Sequence, residues 1–153
     1  MTPGLIRSGI VTERVAWIHG MIRSIRGLPM DSYEQFVQDP RNTAAAESYL
    51  RRGIEALLDL GRHLLTKGFA VAPTEYKSIG KELAAQDVIT REQAELFRRI
   101  AGYRNRMVHF YHEVDEEELY LLCTRNLQDL ETLTEAILEW LKENPKKLDE
   151  NLE

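Results

Sequence analysis

Cys123 is the only cysteine among 153 residues, so no internal disulfide can form and a C-x-x-C metal site is ruled out. Nine glycines and five prolines are too few for a disordered or fibrous chain. No apolar run approaches the roughly 20 residues that a bilayer-spanning helix needs. The opening MTPGLIRSGI lacks the basic stretch and apolar segment of a secretory signal. These absences lead us to expect a cytoplasmic protein with no membrane attachment. Glycine-rich phosphate loops and a defensible Ser/His/Asp order are missing as well, and no strand alternation lasts long enough for a sheet. Positive charge is short too: 20 Lys and Arg stand against 25 Asp and Glu, a net charge of −5. The general field therefore repels nucleic acid and anionic lipid, and either partner must be met by a local basic patch.

With 43% apolar and 29% charged residues, the chain has the composition of an ordinary globular domain long enough to bury a core unaided. Its apolar pattern is helical almost throughout. Val11, Val15, Ile18, Ile22 and Ile25 form one stripe, ended by Gly27 and Pro29. A short helix bearing Tyr33, Phe36 and Val37 follows. Pro40 precedes a long helix with the stripe Leu50, Ile54, Leu57, Gly61, Leu64 and Leu65. Gly53 and Gly61 lower its propensity, which predicts close approach of neighbouring helices. Gly68 ends it, and Pro73–Thr74 opens a short helix with Tyr76, Ile79 and Leu83. Thr90 with Gln93, and Asp115 with Glu118, are capping-box starts for two more helices. The last is read as one helix buried through Leu119, Leu122, Leu130, Leu133, Ile137 and Leu141. The expected architecture is all-α: four long helices with additional short ones, over residues 1–143. A polar tail, 144–153, is expected to fray.

One local patch breaks the acidic balance. Between Arg91 and His112, five arginines (Arg91, Arg98, Arg99, Arg104 and Arg106) face two glutamates, a net of +3. Arg104 falls in the middle of the apolar stripe Phe97, Ile100, Val108 and Tyr111. Arginine is almost never buried without a partner. This face therefore contacts a second chain, lines an anion-binding cleft, or lets Arg104 snorkel or pair with a carboxylate such as Glu55 or Glu47. At about 100° per residue, Arg104 and His109 stand about 140° apart while Arg104 and Tyr111 almost eclipse. Bringing arginine and histidine to one point needs a deformed helix or two copies facing across a two-fold axis. Histidine moves protons at neutral pH, and arginine grips phosphate in a bidentate fork. Together they suit metal-free cleavage of RNA through its own 2′-hydroxyl, with Asn105 and Tyr111 as orienting groups. His112 reads as a surface residue or an extension of this site, and His19 and His63 as solvated or capping groups. The carboxylates from Glu113 to Glu118 read as an exposed helix start, Trp17 and Trp140 as core or interface anchors, and Cys123 as packing.

The string RNRMVHFYHEVDEEELY resembles the R-x-x-x-x-H-x-Y region of HepT-like toxins in the HEPN superfamily (higher eukaryotes and prokaryotes nucleotide-binding domains). SYLRRGIEALLDLGRHLL is similar to that family's long helix, and the stretch from Tyr76 through Asp87-Val88-Ile89 to its lead into the motif helix. The resemblance covers the chain apart from the final tail. It implies an all-α, up-and-down four-helix bundle that dimerises with itself, its paired motifs forming a composite ribonuclease cleft without metal or other cofactor. Arg104 would bind phosphate, His109 would act as acid and base, and Asn105 would support them. Arg98, Arg99 and Arg106 would be further RNA contacts. Relatives often carry arginine directly after the glutamate of the long helix. Ser48 follows Glu47 here, which leaves Arg51 or Arg52 to take that place. The resemblance further implies a type VII-like toxin–antitoxin pair, in which an MNT-type nucleotidyltransferase antitoxin attaches AMP units to Tyr111. The alternative is a catalytically silent helical module that binds a nucleotidyltransferase or nucleotide.

Overall fold

A computed structural model describes residues 2–109 and 114–152, apart from the side chain of His109. Within these residues the chain forms α1 (Ser8–Arg26), α2 (Tyr33–Gln38), α3 (Pro40–His63), α4 (Tyr76–Ala85), α5 (Arg91–His109), α6 (Glu116–Thr124) and α7 (Leu127–Glu143). The four long helices are α1, α3, α5 and α7, as the apolar stripes predict. α3 is central and touches every other helix; α1 lies along it, and α4 lies along α5.

Local chemistry sets the boundaries. Asp39 caps α3 by accepting from the Arg41 amide, with Pro40 in the first helical position, where its missing N–H costs nothing. The box at α5 is reciprocal: the Gln93 amide donates to Thr90 Oγ1 at 3.1 Å, and the Thr90 amide donates to Gln93 Oε1 at 2.9 Å. Asp115 accepts from the Glu118 amide at the start of α6. Gly53 and Gly61 allow the tight packing expected of α3, a Cβ at Gly53 standing 3.2 Å from Leu130 Cδ2, and Gly80 does the same for α4. A Cβ at Gly61 would stand 2.7 Å from Ile79 Cγ2, and one at Gly80 would stand 2.7 Å from Phe97 Cβ. Gly61 lets α4 sit close on α3, and Gly80 lets α5 sit close on α4.

Three readings need correction. The single last helix is broken: α6 ends at Thr124, and α7 begins at Leu127 after the Arg125–Asn126 link. The buried positions Leu119, Cys123, Leu127 and Leu130 keep helical spacing across this link, so the break leaves no mark in the apolar pattern. α4 begins at Tyr76, not at Pro73–Thr74. The tail is docked, not frayed. Leu148 is buried, the Ile6 amide donates to the Lys147 carbonyl at 2.8 Å, and Asp149 Oδ1 accepts from the Ser8 amide at 2.8 Å. Ile6 and Leu148 form a single parallel bridge, and the carboxylate of Asp149 supplies the side-chain cap that Arg7 cannot give α1. Trp140 packs against Phe69, whereas Trp17 is 48% exposed on α1.

His63 holds this N-terminal junction, its Nε2 accepting from the Arg7 amide at 3.0 Å. Burial pushes its pKa below the ordinary histidine value, helped by Lys67, Arg7 and Arg14 and opposed by Asp149. The folded chain thus binds fewer protons here than the unfolded one. His63 contributes its stabilisation above the ordinary histidine range, and that contribution is lost as pH falls through it. Urea melts are expected to show a lower midpoint at pH 5.5 than at pH 7.5 (about one unit either side of the free histidine value), with a smaller difference in His63→Gln. An equal difference in both proteins would remove His63 as the cause.

Candidate functional site

α5 carries its basic segment to the edge of a groove of about 860 Å³. One wall comes from α3 through Glu47, Arg51 and Glu55. The other comes from Arg104, Arg106, Met107 and Val108 of α5, and Val114, Glu116 and Leu119 close the end. The Arg104 side chain is only 16% exposed. Its Nε faces Glu55 Oε1 at 3.3 Å, its Nη1 donates to Asn105 Oδ1 at 3.3 Å, and its Cζ stands 4.6 Å from the centre of the Tyr76 ring. Three contacts on one guanidinium fix its plane. Two of the readings open for Arg104 hold together: it lines a cleft, and it pairs with Glu55.

Glu55 is shared. Arg51 Nη1 lies 3.5 Å from the same carboxylate, and Arg51 Nε donates to Glu47 Oε1 at 3.1 Å. Spacing of four along α3 lines up Glu47, Arg51 and Glu55 on one face, so a relay of alternating charge ends on Arg104. Arg104 and Glu55 make a part-buried pair in which the carboxylate, 30% exposed, keeps contact with water. Arg106 forks onto Glu118 of α6 at 2.8 and 2.6 Å, and Thr43 Oγ1 donates to Glu116 Oε2 at 3.0 Å across the groove. Both tie α6 over the cleft.

The other candidates scatter. Arg51 and Arg106 share the groove with Arg104, and Asn105 touches it through Arg104. Arg52 lies on the other flank of α3, in a trough with Trp17, Arg14 and Asp59. There the Asp59 carboxyl is raised above its usual pKa by burial, against the pull of Arg14 and Arg62. Arg98 lies between α4 and α5, and Arg99 beside Tyr103, Asn126 and Asp129. The α5 backbone reaches His109, in the register already given for it. Tyr111 and His112 lie outside the described residues, as does the His109 side chain. Tyr76, which stacks on both Arg62 and Arg104, is a positioning group that the sequence reading missed. Cys123 is buried in the core, its thiol pushed up to about 12 by desolvation, which suits packing and not nucleophilic attack. Among the described residues no cluster of His, Cys, Asp and Glu could hold a metal ion, and no helix is long and apolar enough to cross a membrane.

An all-helical bundle of this kind is the fold of solved HEPN toxins. The chain belongs to the HepT-like family: the family described as "Ribonuclease HepT-like" matches residues 18–137. The mRNA nuclease HepT of Shewanella oneidensis is 25% identical over 128 residues, which cover 84% of this chain and 96% of that protein. The tri-AMPylated HEPN toxin of Shewanella oneidensis, solved in complex with its MNT antitoxin, superposes with a TM-score of 0.77 at 25% identity, covering 85% of this chain and 97% of that one. YutE of Bacillus subtilis, a cytosolic protein of unknown function, shares the fold at a TM-score of 0.73 and 20% identity, over 88% of this chain and 90% of its own.

Proposed function

We propose that this protein is the ribonuclease toxin of a HEPN/MNT toxin–antitoxin pair, cutting RNA without metal in a cleft completed by a second copy of the chain. The observation that carries the reading is Arg104, oriented by Glu55, Asn105 and Tyr76 at the edge of a groove of about 860 Å³. In the reaction, His109 takes the proton from a ribose 2′-hydroxyl, and the freed oxygen attacks the adjacent phosphorus. The bond to the 5′-oxygen breaks as that oxygen takes a proton from water, leaving a 2′,3′-cyclic phosphate. Arg104 leaves Glu55 to hold the crowded phosphate, whose charge grows in the transition state.

Purified protein is expected to cleave single-stranded RNA in EDTA, and Arg104→Ala to lose about 10²–10³-fold, the typical cost of one oxyanion-stabilising group. Undiminished cleavage by that variant would remove Arg104 from the chemistry. Neutralisation has a direct charge logic: AMP on Tyr111, seven residues beyond Arg104 in sequence, adds an anion that competes with substrate phosphate and repels the RNA. After co-expression with a nucleotidyltransferase antitoxin, intact-mass spectra are expected to rise in AMP steps in the wild type and not in Tyr111→Phe. The Arg104–Glu55 pair favours one other reading, a silent module that binds the antitoxin. That reading requires tight partner binding with no RNA turnover.

A further inference from the structure

An acidic protein that binds RNA needs more than one arginine to hold the flanks of the strand. Outside the groove, α4 and α5 enclose an open trough of about 610 Å³ that carries four exposed cations, Lys77, Lys81, Arg91 and Arg98. Two carboxylates share it, Asp87 and Glu95, and only Glu95 is paired, with Arg98 at 3.7 Å. Lys77, Lys81 and Arg91 make no ion pair among the described residues, so their charge is free to meet an anion. A positive excess here is notable in a chain of net charge −5.

The register is ordered. Lys77 and Lys81, four apart, share one face of α4, and Arg91 and Arg98, seven apart, share one face of α5. Continuing that α5 stripe gives Gly102, where Lys77 Cε lies 3.7 Å from the position a Cβ would take. It then reaches Asn105 and, after five full turns from Arg91, position 109. The stripe is about 27 Å long at 1.5 Å per residue. Ala85 and Ala94 add little bulk to the trough, which leaves room for a strand.

We infer that this trough is a binding site for the phosphate backbone of single-stranded RNA, leading the flank of the substrate along α5 toward the histidine position of the motif. The inference rests on the ribonuclease reading and extends it from the scissile phosphate to the strand beyond. Such contacts recognise phosphate and not bases, so the site gives affinity and length dependence without sequence preference.

The test uses uncleavable 2′-O-methyl RNA of about four and about twelve nucleotides, followed by fluorescence anisotropy over a range of salt. The wild type is expected to hold the longer strand more tightly. The combined variant Lys77→Gln, Lys81→Gln, Arg91→Gln is expected to weaken it about tenfold or more at low salt, and to flatten the slope of log affinity against log salt by about 2, at roughly 0.7 per lost contact. The short strand is expected to bind both proteins equally. Lys142→Gln with Lys146→Gln, exposed at the far end of α7 and beyond it, is the control. Equal binding of both lengths by the wild type, or a trough variant no weaker than the control, would overturn the inference. Loss of affinity for the antitoxin with RNA binding untouched would overturn it also. Cleavage is read separately: RNA that binds through the trough but is never cut defeats the ribonuclease reading alone.

Discussion

His109→Ala protein is expected to cleave RNA about 10²–10⁴-fold more slowly than wild type, the usual contribution of a positioned acid–base group, with an unchanged thermal melt. The argument is one of register. Positions 104 and 109 stand about 140° apart on α5, so one helix cannot direct both groups at one phosphate. Arg104 is turned into its own chain's groove, fixed by Glu55 and Tyr76. In the composite cleft proposed above, the histidine that complements it comes from a second copy related by a two-fold axis. Mixing makes that geometry measurable. In a heterodimer of Arg104→Ala with His109→Ala, one of the two composite sites receives an intact arginine from one copy and an intact histidine from the other. Random pairing makes half the dimers mixed, so the mixture is expected to recover about one quarter of wild-type activity, although each variant alone is inactive. No recovery would mean that each chain supplies both groups to its own site.

The elements that could be read from sequence are those whose signal is local. The Thr90–Gln93 box marks the start of α5, and both its hydrogen bonds are present. The glycines of α3 signalled close packing, and Gly61 meets Ile79. The α6–α7 break could not be read, because Cys123 and Leu127, four apart, carry the apolar stripe straight across it. What could not be read is what depends on distant packing. Leu148 carries no periodicity of its own and is buried because Ile6 and Ser8, at the other end of the chain, complete it. Tyr76 stacks on Arg104 only because Gly80 lets α4 settle onto α5, a contact that no spacing within either helix announces. Arg104 itself was legible as an anomaly, a cation within an apolar stripe. Its partner Glu55 was one of two carboxylates in reach.

Phe97→Ala is expected to destabilise the fold by about 3–5 kcal/mol, the range for deleting a buried aromatic ring. Phe97 is fully buried, with Cζ 3.3 Å from where a Gly61 Cβ would stand and Cβ 2.7 Å from where a Gly80 Cβ would stand. It fills a slot between Gly61 of α3 and Gly80 of α4, beside Ile79 and Leu83, so its removal opens a cavity in a close-packed core. Against a total stability of about 5–15 kcal/mol for a domain of this kind, that loss removes a large share. The urea midpoint should fall with an unchanged slope, and Phe97→Leu should recover most of it by restoring volume. The same ring fixes the height of α5 against α3 and, two turns further on, sets Arg104 within reach of Glu55. Phe97→Ala is therefore expected to reduce cleavage only in proportion to the unfolded fraction at low temperature, and sharply as the midpoint is approached. A loss below about 1 kcal/mol would mean that α3 and α4 can close onto α5 without the ring, and that the glycine slot does not position the helix carrying the motif.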